Sequence, residues 1–477
     1  MSAATETTGV MDRSPSTTTF SRTGAMLLAS SLGLLGRVGG SAATLVSTVL
    51  LSRMLTTAEF GEYVLVLTVV LIGSILGALS MGEAILRFVG VRLGMADSDE
   101  AWSACRKGLL IATIGLVAVG VGYMAGYETI RRLIPGLPLG RTNAAWAALW
   151  MISSGIGLVL SCALRAFDRI MLGTLVEITL YRVGLVVILA AMWAVGATSL
   201  TSAIAASALV ASIVTLGAAV ALVRMAPPRG RIAHIGPNSW ELVHFALPLL
   251  GSGLLFRFMS DASLWMISVY CSADEIALYG AAYRLWVVFS IPQVAVNAAI
   301  QGPIARLQAQ GDGQMLERLM RGATMTALWP TFGITVVVLG AGSSILGFLY
   351  GPYYAEGGTV LVILCIAQLM CTAVGSSEQL AAMSGRQFAV LMASVPATIV
   401  SLVLSVALIP RFGLSGGAVA AGCSSLLFKM ILAAYCASRL GVRTWLPLGR
   451  DTIDSFTSAP LALVQPDLPQ SCSDEVP

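Results

Sequence analysis

The chain has 477 residues, of which 57% are hydrophobic and only 11% charged, with a formal net charge of +4 and a mean hydropathy of +0.85. No soluble core needs so much apolar side chain relative to charge, so the composition excludes a soluble globular domain and points to a multi-spanning membrane protein. Lipid offers no hydrogen bonds to a bare backbone, so apolar runs of about 20 residues must be helices; barrel strands would be half as long and alternating.

Residues 1–24, with "ATETTGVMDRSPSTTTFSRT", have the composition of a disordered polar tail. The first apolar run is too long and too far from the start to read as a cleaved signal peptide. Windows of about 20 residues place spans near 25–50, 62–82, 108–127, 142–163, 172–195, 200–223, 242–268, 277–300, 323–349, 357–379, 388–409 and 414–437. This gives an N-terminal lobe over 25–223, a linker over 224–241, a second lobe over 242–438, and a largely disordered tail over 439–477. With the N-terminus in the cytoplasm, roughly 18 basic residues fall on inner segments and roughly 5 on outer ones, so the positive-inside bias predicts that both termini are cytoplasmic. One outer loop, "YETIRRLIPGLPLGR" with Arg131, Arg132 and Arg141, runs against that trend.

Several spans carry polar side chains. In the first, Arg37 shares a helical face with Ser30, Ser41, Thr44 and Thr48. An Arg at the bilayer centre costs about 2.5–3.5 kcal/mol on the lenient insertion scale, so it is expected to face a cavity or a partner. In the fifth span Arg182 stands near Glu177, and in the seventh Arg257 has Asp261 one turn on, an i,i+4 spacing that lets the pair neutralise itself. Arg284 in the eighth span lies roughly opposite a stripe of Gln293, Asn297 and Gln301; both can face one cavity only if the helix bends, which Pro292 permits. Gln368, Thr372, Ser376 and Gln379 follow i,i+4 logic in the tenth span, and Lys429 follows Ser425 by one turn in the twelfth. Arg37, Arg182, Arg257, Arg284 and Lys429 outnumber Glu177 and Asp261, so the interior is expected to be electropositive.

The second half rhymes with the first. "SRMLTTAEFGEY" from Ser52 parallels "VYCSADEIALY" from Val269, and "EAILRFVGVRLGMADSDE" from Glu83 parallels "AAIQGPIARLQAQGDGQM" from Ala298. "FDRIMLGTL" from Phe167 parallels "SGRQFAVLM" from Ser384, and "AIAAS" from Ala203 parallels "AVAAG" from Ala418. The four matches share an offset near 215, the mark of an internal repeat. Six helices per repeat is an even number, so the halves insert in parallel, an arrangement found in transporters with substrate sites at the interface of the halves.

The pieces "LLSRMLTTAEFGEYVLVL", "LLFRFMSDASLWMISVYCSADEIALYGAAYRL" and "GPIARLQAQGDGQMLERLMR" resemble the polysaccharide-transport branch of the multidrug/oligosaccharidyl-lipid/polysaccharide (MOP) flippase superfamily. The resemblance runs from about residue 25 to 440. It implies an all-α membrane protein of about twelve helices, as two six-helix lobes in a V around a central cavity. It also implies transfer of undecaprenyl-diphosphate-linked sugar repeat units to the outer leaflet of the cytoplasmic membrane, with lipid-linked oligosaccharide and membrane lipid as partners. A polysaccharide polymerase and chain-length machinery would act beside it. Members that flip the peptidoglycan precursor usually carry two further helices, and no apolar run follows residue 440 or so.

On this resemblance Arg37, Arg257 and Arg284 are the candidates for the diphosphate, whose oxygens suit guanidinium forks, with Arg182, Lys429 and Asp261 as secondary ones. Ser41, Thr44, Thr48, Gln293, Asn297, Gln301, Gln368, Thr372 and Ser376 are candidates for sugar contacts; Ser and Thr also join membrane helices. No cofactor, metal or nucleic acid is expected: the eight cysteines have no metal-ligand spacing, and no phosphate-binding loop of the G-x-x-x-x-G-K-[ST] kind is present. The alternatives are a multidrug cation antiporter of the same superfamily, which would be expected to rely on deep carboxylates in the first lobe, and a polymerase or ligase of polysaccharide assembly. The outer loops are short for such an enzyme, and the two histidines, His234 and His244, lie in or beside one cytoplasmic loop.

Overall fold

The computed structural model describes residues 39–95, 97–133, 140–226 and 238–446, and within them there is no strand. Helix α1 covers 39–54. It is followed by α2 (Thr57–Ala78), α3 (Met81–Gly94), α4 (Ser98–Leu133) and α5 (Arg141–Ala166). A short α6 (Ile170–Thr174) runs through a π-helical turn (Leu175–Leu180) into α7 (Tyr181–Val195), and α8 (Leu200–Met225) ends the first half. The second half holds α9 (Ser239–Tyr270), α10 (Ala273–Phe289), α11 (Ile291–Gln310), α12 (Gly313–Tyr350), α13 (Gly358–Val374), α14 (Ser377–Met383) and α15 (Gln387–Tyr435).

Among the described residues, nine helices are long and apolar enough to span a bilayer, or ten if α10 and the start of α11, bent by 41°, count as one span. The predicted spans at 388–409 and 414–437 run together in α15, which kinks at Gly413 (φ 55, ψ −134), a left-handed backbone that glycine adopts without strain. The first predicted span enters the described residues only at Gly39, and Arg37 and Ser30 lie outside them, as does His234. The predicted bend beside Pro292 falls at Ser290, and Pro292 occupies the first turn of α11, where its missing N–H breaks no helical bond.

Helix starts carry the repeat. Thr56 and Glu59 form a capping box at α2, and Ser272 and Glu275 form the same box at α10, an offset of 216 (272 − 56). Asp97 accepts from the Glu100 N–H at the start of α4, and Asp312 accepts from the Met315 N–H at α12, an offset of 215 (312 − 97). Equivalent residues therefore start equivalent helices, as the aligned segments predict.

In the first half α5 packs on α8 and α4, and α2 on α4; in the second, α9 packs on α15 and α12 on α13. The halves meet along α2, which packs on α10 and α9, and again where α3 packs on α9. At its start α2 crosses α10, where a Cβ on Gly61 would lie 2.1 Å from the Ala273 carbonyl oxygen, so only glycine permits this approach. The Thr57 hydroxyl donates to Asp274 there, Trp265 Nε1 donates to Thr68 Oγ1 at 3.2 Å, and Arg53 caps α12 through the Phe348 and Leu349 carbonyls at 2.6 and 3.2 Å. Beyond the far end of α2, the beginning of α9 packs on α3: Phe88 meets Phe245 edge-on at 5.9 Å, and the Arg87 guanidinium sits 4.4 Å from the same ring. Buried Phe60, Tyr63, Trp150, Tyr279, Tyr350 and Tyr354 form a core continuous across both halves.

Candidate functional site

Between the two meeting points lies a cavity of about 380 Å³. One wall is the polar face of α1, with Thr44, Ser47 and Thr48. These hydroxyls donate to their own helix, Thr44 to the Gly40 carbonyl at 2.9 Å and Ser47 and Thr48 to the Thr44 carbonyl at 2.9 and 2.6 Å, so they sit in apolar surroundings without an unpaired donor. Ser41 lies on the same helix but does not line the cavity. The opposite walls are aromatic: Phe60 and Tyr63 from α2, Trp150 from α5 and Tyr181 from α7. The Tyr63 hydroxyl is hydrogen-bonded to Ser207 at 2.9 Å, which fixes its ring beside Trp150.

Two arginines from different halves enter this cavity, Arg182 from α7 and Arg284 from α10. The π-helical turn leads directly into Arg182 and packs on α1 at Gly40, where a Cβ would meet Ile178 at 2.7 Å and lie 3.5 Å from Arg182 Nη1. Glu177 lines the cavity too, but its carboxylate is held by Arg165 at 2.9 Å rather than by Arg182 as its sequence proximity suggests. An i,i+5 spacing does not bring two side chains onto one face of a regular helix, and Arg165 from α5 takes the carboxylate instead. Among the described residues no carboxylate makes an ion pair with Arg182 or Arg284, and the two positive charges repel each other.

The other sequence candidates fall elsewhere. Arg257 is paired with buried Asp261 at 2.5 Å, the i,i+4 bridge expected, and does not line the cavity. Lys429 is paired with Glu378 at 3.1 Å, a partner from α14 that sequence spacing could not reveal. Of the five interior cations expected to be in excess, Arg257 and Lys429 are thus neutralised, Arg182 and Arg284 are in no ion pair, and Arg37 lies outside the described residues. Arg284 and the Gln293 stripe do not share a cavity despite the bend: Arg284 faces the first, and Gln293 lines a second cavity of about 270 Å³ inside the second half. Gln368, Thr372 and Lys429 line that second cavity as well. Asn297 and Ser376 stand behind it, with Gln293 Nε2 donating to both at 2.9 Å and Ser376 Oγ donating to Asn297 Oδ1 at 2.6 Å. Gln301 donates to Gln379 at 3.3 Å. Sequence reasoning missed Ser47, Tyr63, Trp150, Tyr181, Tyr283 and Trp286 as cavity residues, because an aromatic or a single hydroxyl in an apolar run carries no sign of which way it faces.

Among the described residues no group of His, Cys, Asp and Glu could hold a metal ion.

A family model described as polysaccharide biosynthesis protein matches residues 30–304. A probable low-salt glycan biosynthesis flippase, Agl15 of Haloferax volcanii, is 22% identical over 226 residues, covering 46% of this chain and 47% of the relative. The chain thus spans about half the length of that curated relative. Two solved structures have a similar fold. One is a multidrug resistance MATE family transporter of the MOP superfamily in an inward-facing conformation (TM-score 0.69, 12% identity, 84% of this chain and 94% of that one). The other is the lipid II flippase MurJ in an inward closed conformation (TM-score 0.64, 11% identity, 91% of each chain). A MOP superfamily transporter from Pyrococcus furiosus, whose structure is described by a reversed polarity of its binding pocket, also matches (TM-score 0.60, 12% identity, 87% of this chain and 95% of that one).

Proposed function

The chain belongs to the polysaccharide biosynthesis protein family, and on that premise we propose that it is a flippase for undecaprenyl-diphosphate-linked oligosaccharides, carrying them across the cytoplasmic membrane for cell-surface polysaccharide assembly. The observation that carries this reading is the convergence of Arg182 and Arg284 on one cavity, neither of them in an ion pair among the described residues, with the charges of Glu177 and Asp261 reaching Arg182 and Arg284 only at longer range. Two like charges in an apolar chamber are costly when empty and are relieved by an anion. A diphosphate offers several oxygens, and each guanidinium can present two parallel N–H donors to them. The aromatic walls exclude water, which strengthens those charge-assisted bonds.

Transport follows by alternating access: the contacts at the start of α2 and those between α3 and α9 break in turn, with the 25–223 and 242–438 lobes rocking about the cavity. The polyprenyl tail stays in the lipid between the lobes while the head group crosses. Both termini are cytoplasmic in this arrangement, which puts the α2–α10 contact on the outer side. A polymerase and chain-length machinery would receive the sugar there. Support comes from the flippase names of the Haloferax volcanii relative and of the MurJ structure. A cation antiporter is disfavoured by the sign of the unpaired charges.

The test is reconstitution of the full chain in proteoliposomes with an undecaprenyl-diphosphate-linked oligosaccharide, following exposure of the sugar to an impermeant glycosidase. Protein-dependent exposure is expected. Exposure no faster than in empty liposomes, with saturable efflux of an organic cation instead, would replace this reading with antiport.

A further inference from the structure

Among the described residues one acid lines the first cavity, Glu177. Glu177 and Arg182 are five residues apart, and on a regular helix of 3.6 residues per turn they would point about 140° away from each other. A π-helical turn (Leu175–Leu180) runs between them. Its hydrogen bonds run i→i+5, which brings residues five apart nearly into line, and both side chains line the cavity. The charge of Glu177 reaches Arg182. A carboxylate on the same wall as an arginine competes, as part of the same chain, with any anion that comes to that arginine.

Arg165 stands in the way of that competition. It belongs to the last turn of α5 and is not part of the cavity wall, yet its Nη2 holds Glu177 Oε2 at 2.9 Å. The short α6 runs directly over its stem: a Cβ on Gly173 would lie 2.6 Å from Arg165 Cγ and 2.6 Å from the Ser161 carbonyl oxygen. Arg165 Nη2 also lies 3.2 Å from Cys162 Sγ, three residues back on α5. The guanidinium is thus fixed from two sides. The side chains of Arg165 and Glu177 remain 28 and 31% exposed, so burial alone does not hold the carboxylate where it is. Glu83 of α3 is a second acid whose charge meets Arg165, but among the described residues it makes no ion pair.

From this arrangement we infer that Arg165 is a positioning residue for the anion site: by holding the Glu177 carboxylate it keeps Arg182 receptive to phosphate oxygens. Arg165 touches no part of the substrate and acts through Glu177. Without it the carboxylate is released on the cavity wall, where the nearest uncommitted guanidinium facing it is that of Arg182. The incoming diphosphate must then displace a fixed carboxylate before it can bind. The inference rests on the flippase reading, which supplies the diphosphate.

The purified full chain is titrated with synthetic undecaprenyl diphosphate, and the unfolding midpoint of every variant is recorded. Arg165→Met is expected to weaken binding roughly tenfold, and Glu177→Gln on that background is expected to restore the wild-type affinity. A residue that only held α5 against α6 would give a loss that the second substitution does not recover. Arg165→Lys keeps the charge and carries the test if Arg165→Met does not fold. It is expected to bind about threefold more weakly, since an ammonium lacks the fork, and Glu177→Gln again recovers the loss. In proteoliposomes with the lipid-linked oligosaccharide, the effect of Arg165→Met appears as a raised half-saturating concentration with the maximal rate kept. Unchanged affinity in the Arg165 variants, or a loss that Glu177→Gln leaves in place, overturns the role of Arg165 and leaves the diphosphate reading standing. Failure of the wild type to bind undecaprenyl diphosphate overturns both.

Discussion

Arg182 on α7 and Arg284 on α10 face one cavity from different halves of the chain, and no carboxylate among the described residues pairs with either. The pair cannot be read as a salt bridge in waiting, because Glu177, the acid nearest Arg182 in sequence on the same wall, is held by Arg165 at 2.9 Å. If the arginines bind phosphate through their forks, charge alone is insufficient. Arg284→Lys is expected to retain a minority of transport, below the wild type by about tenfold, since an ammonium is a point charge without the bidentate geometry. Initial flipping rates in proteoliposomes check this.

The Arg257–Asp261 bridge is expected to serve structure. Asp261 is 2% exposed, and its removal would strand the Arg257 charge. Asp261→Asn is expected to lower stability by about 3–5 kcal/mol, whereas Arg257→Met with Asp261→Leu costs much less, because no unpaired charge remains. Thermal unfolding of the three proteins in detergent distinguishes these outcomes.

On the proposed alternating access, the contact at the start of α2 opens during transport. Cysteines at Thr57 and Asp274, which are hydrogen-bonded across the halves, are expected to halt flipping when joined by a short bifunctional thiol reagent with a reducible linker. Reduction should restore it. Gly61→Val acts in the opposite direction: with a Cβ 2.1 Å from the Ala273 oxygen the crossing cannot form, so thiol reagents should reach a cysteine at 274 faster than in the parent.

Glu83, just past the end of α2, gives the fold a pH dependence. Burial raises its carboxyl above the ordinary range, and the Glu177 charge adds to this, against its own backbone hydrogen bond and the Arg165 charge. The folded chain therefore binds this proton more tightly than the unfolded chain does. The resulting stability is fully present below the ordinary value of 4.5 and is lost as pH rises through the raised one. Glu83→Gln should remove this dependence and leave the protein more stable than the wild type at neutral pH, as read from unfolding midpoints across pH.

Local signals carried most of the architecture. The span positions follow from apolar run length, and the repeat follows from caps such as Thr56/Glu59 and Ser272/Glu275, which are set by adjacent residues. Partnerships between helices were not legible. Glu378 and Lys429 belong to different elements, and Glu177 is held by Arg165 of α5, a partner that its spacing along the chain does not reveal. The bend at Ser290 was readable from Pro292, but its consequence was reversed: it accompanies a division in which Arg284 and Gln293 face separate cavities. Arg37, the residue singled out first by its cost in lipid, lies outside the described residues.

The central claim is that the two unpaired arginines carry the diphosphate. The most direct measurement is the initial rate of glycan exposure in proteoliposomes for the wild type and for Arg182→Ala with Arg284→Ala, at equal protein and with equal unfolding midpoints. Loss of charge-assisted bonds worth about 1.5–3 kcal/mol each predicts a fall of at least a hundredfold in the double variant. A rate within threefold of the wild type would contradict the account and move the diphosphate away from this cavity.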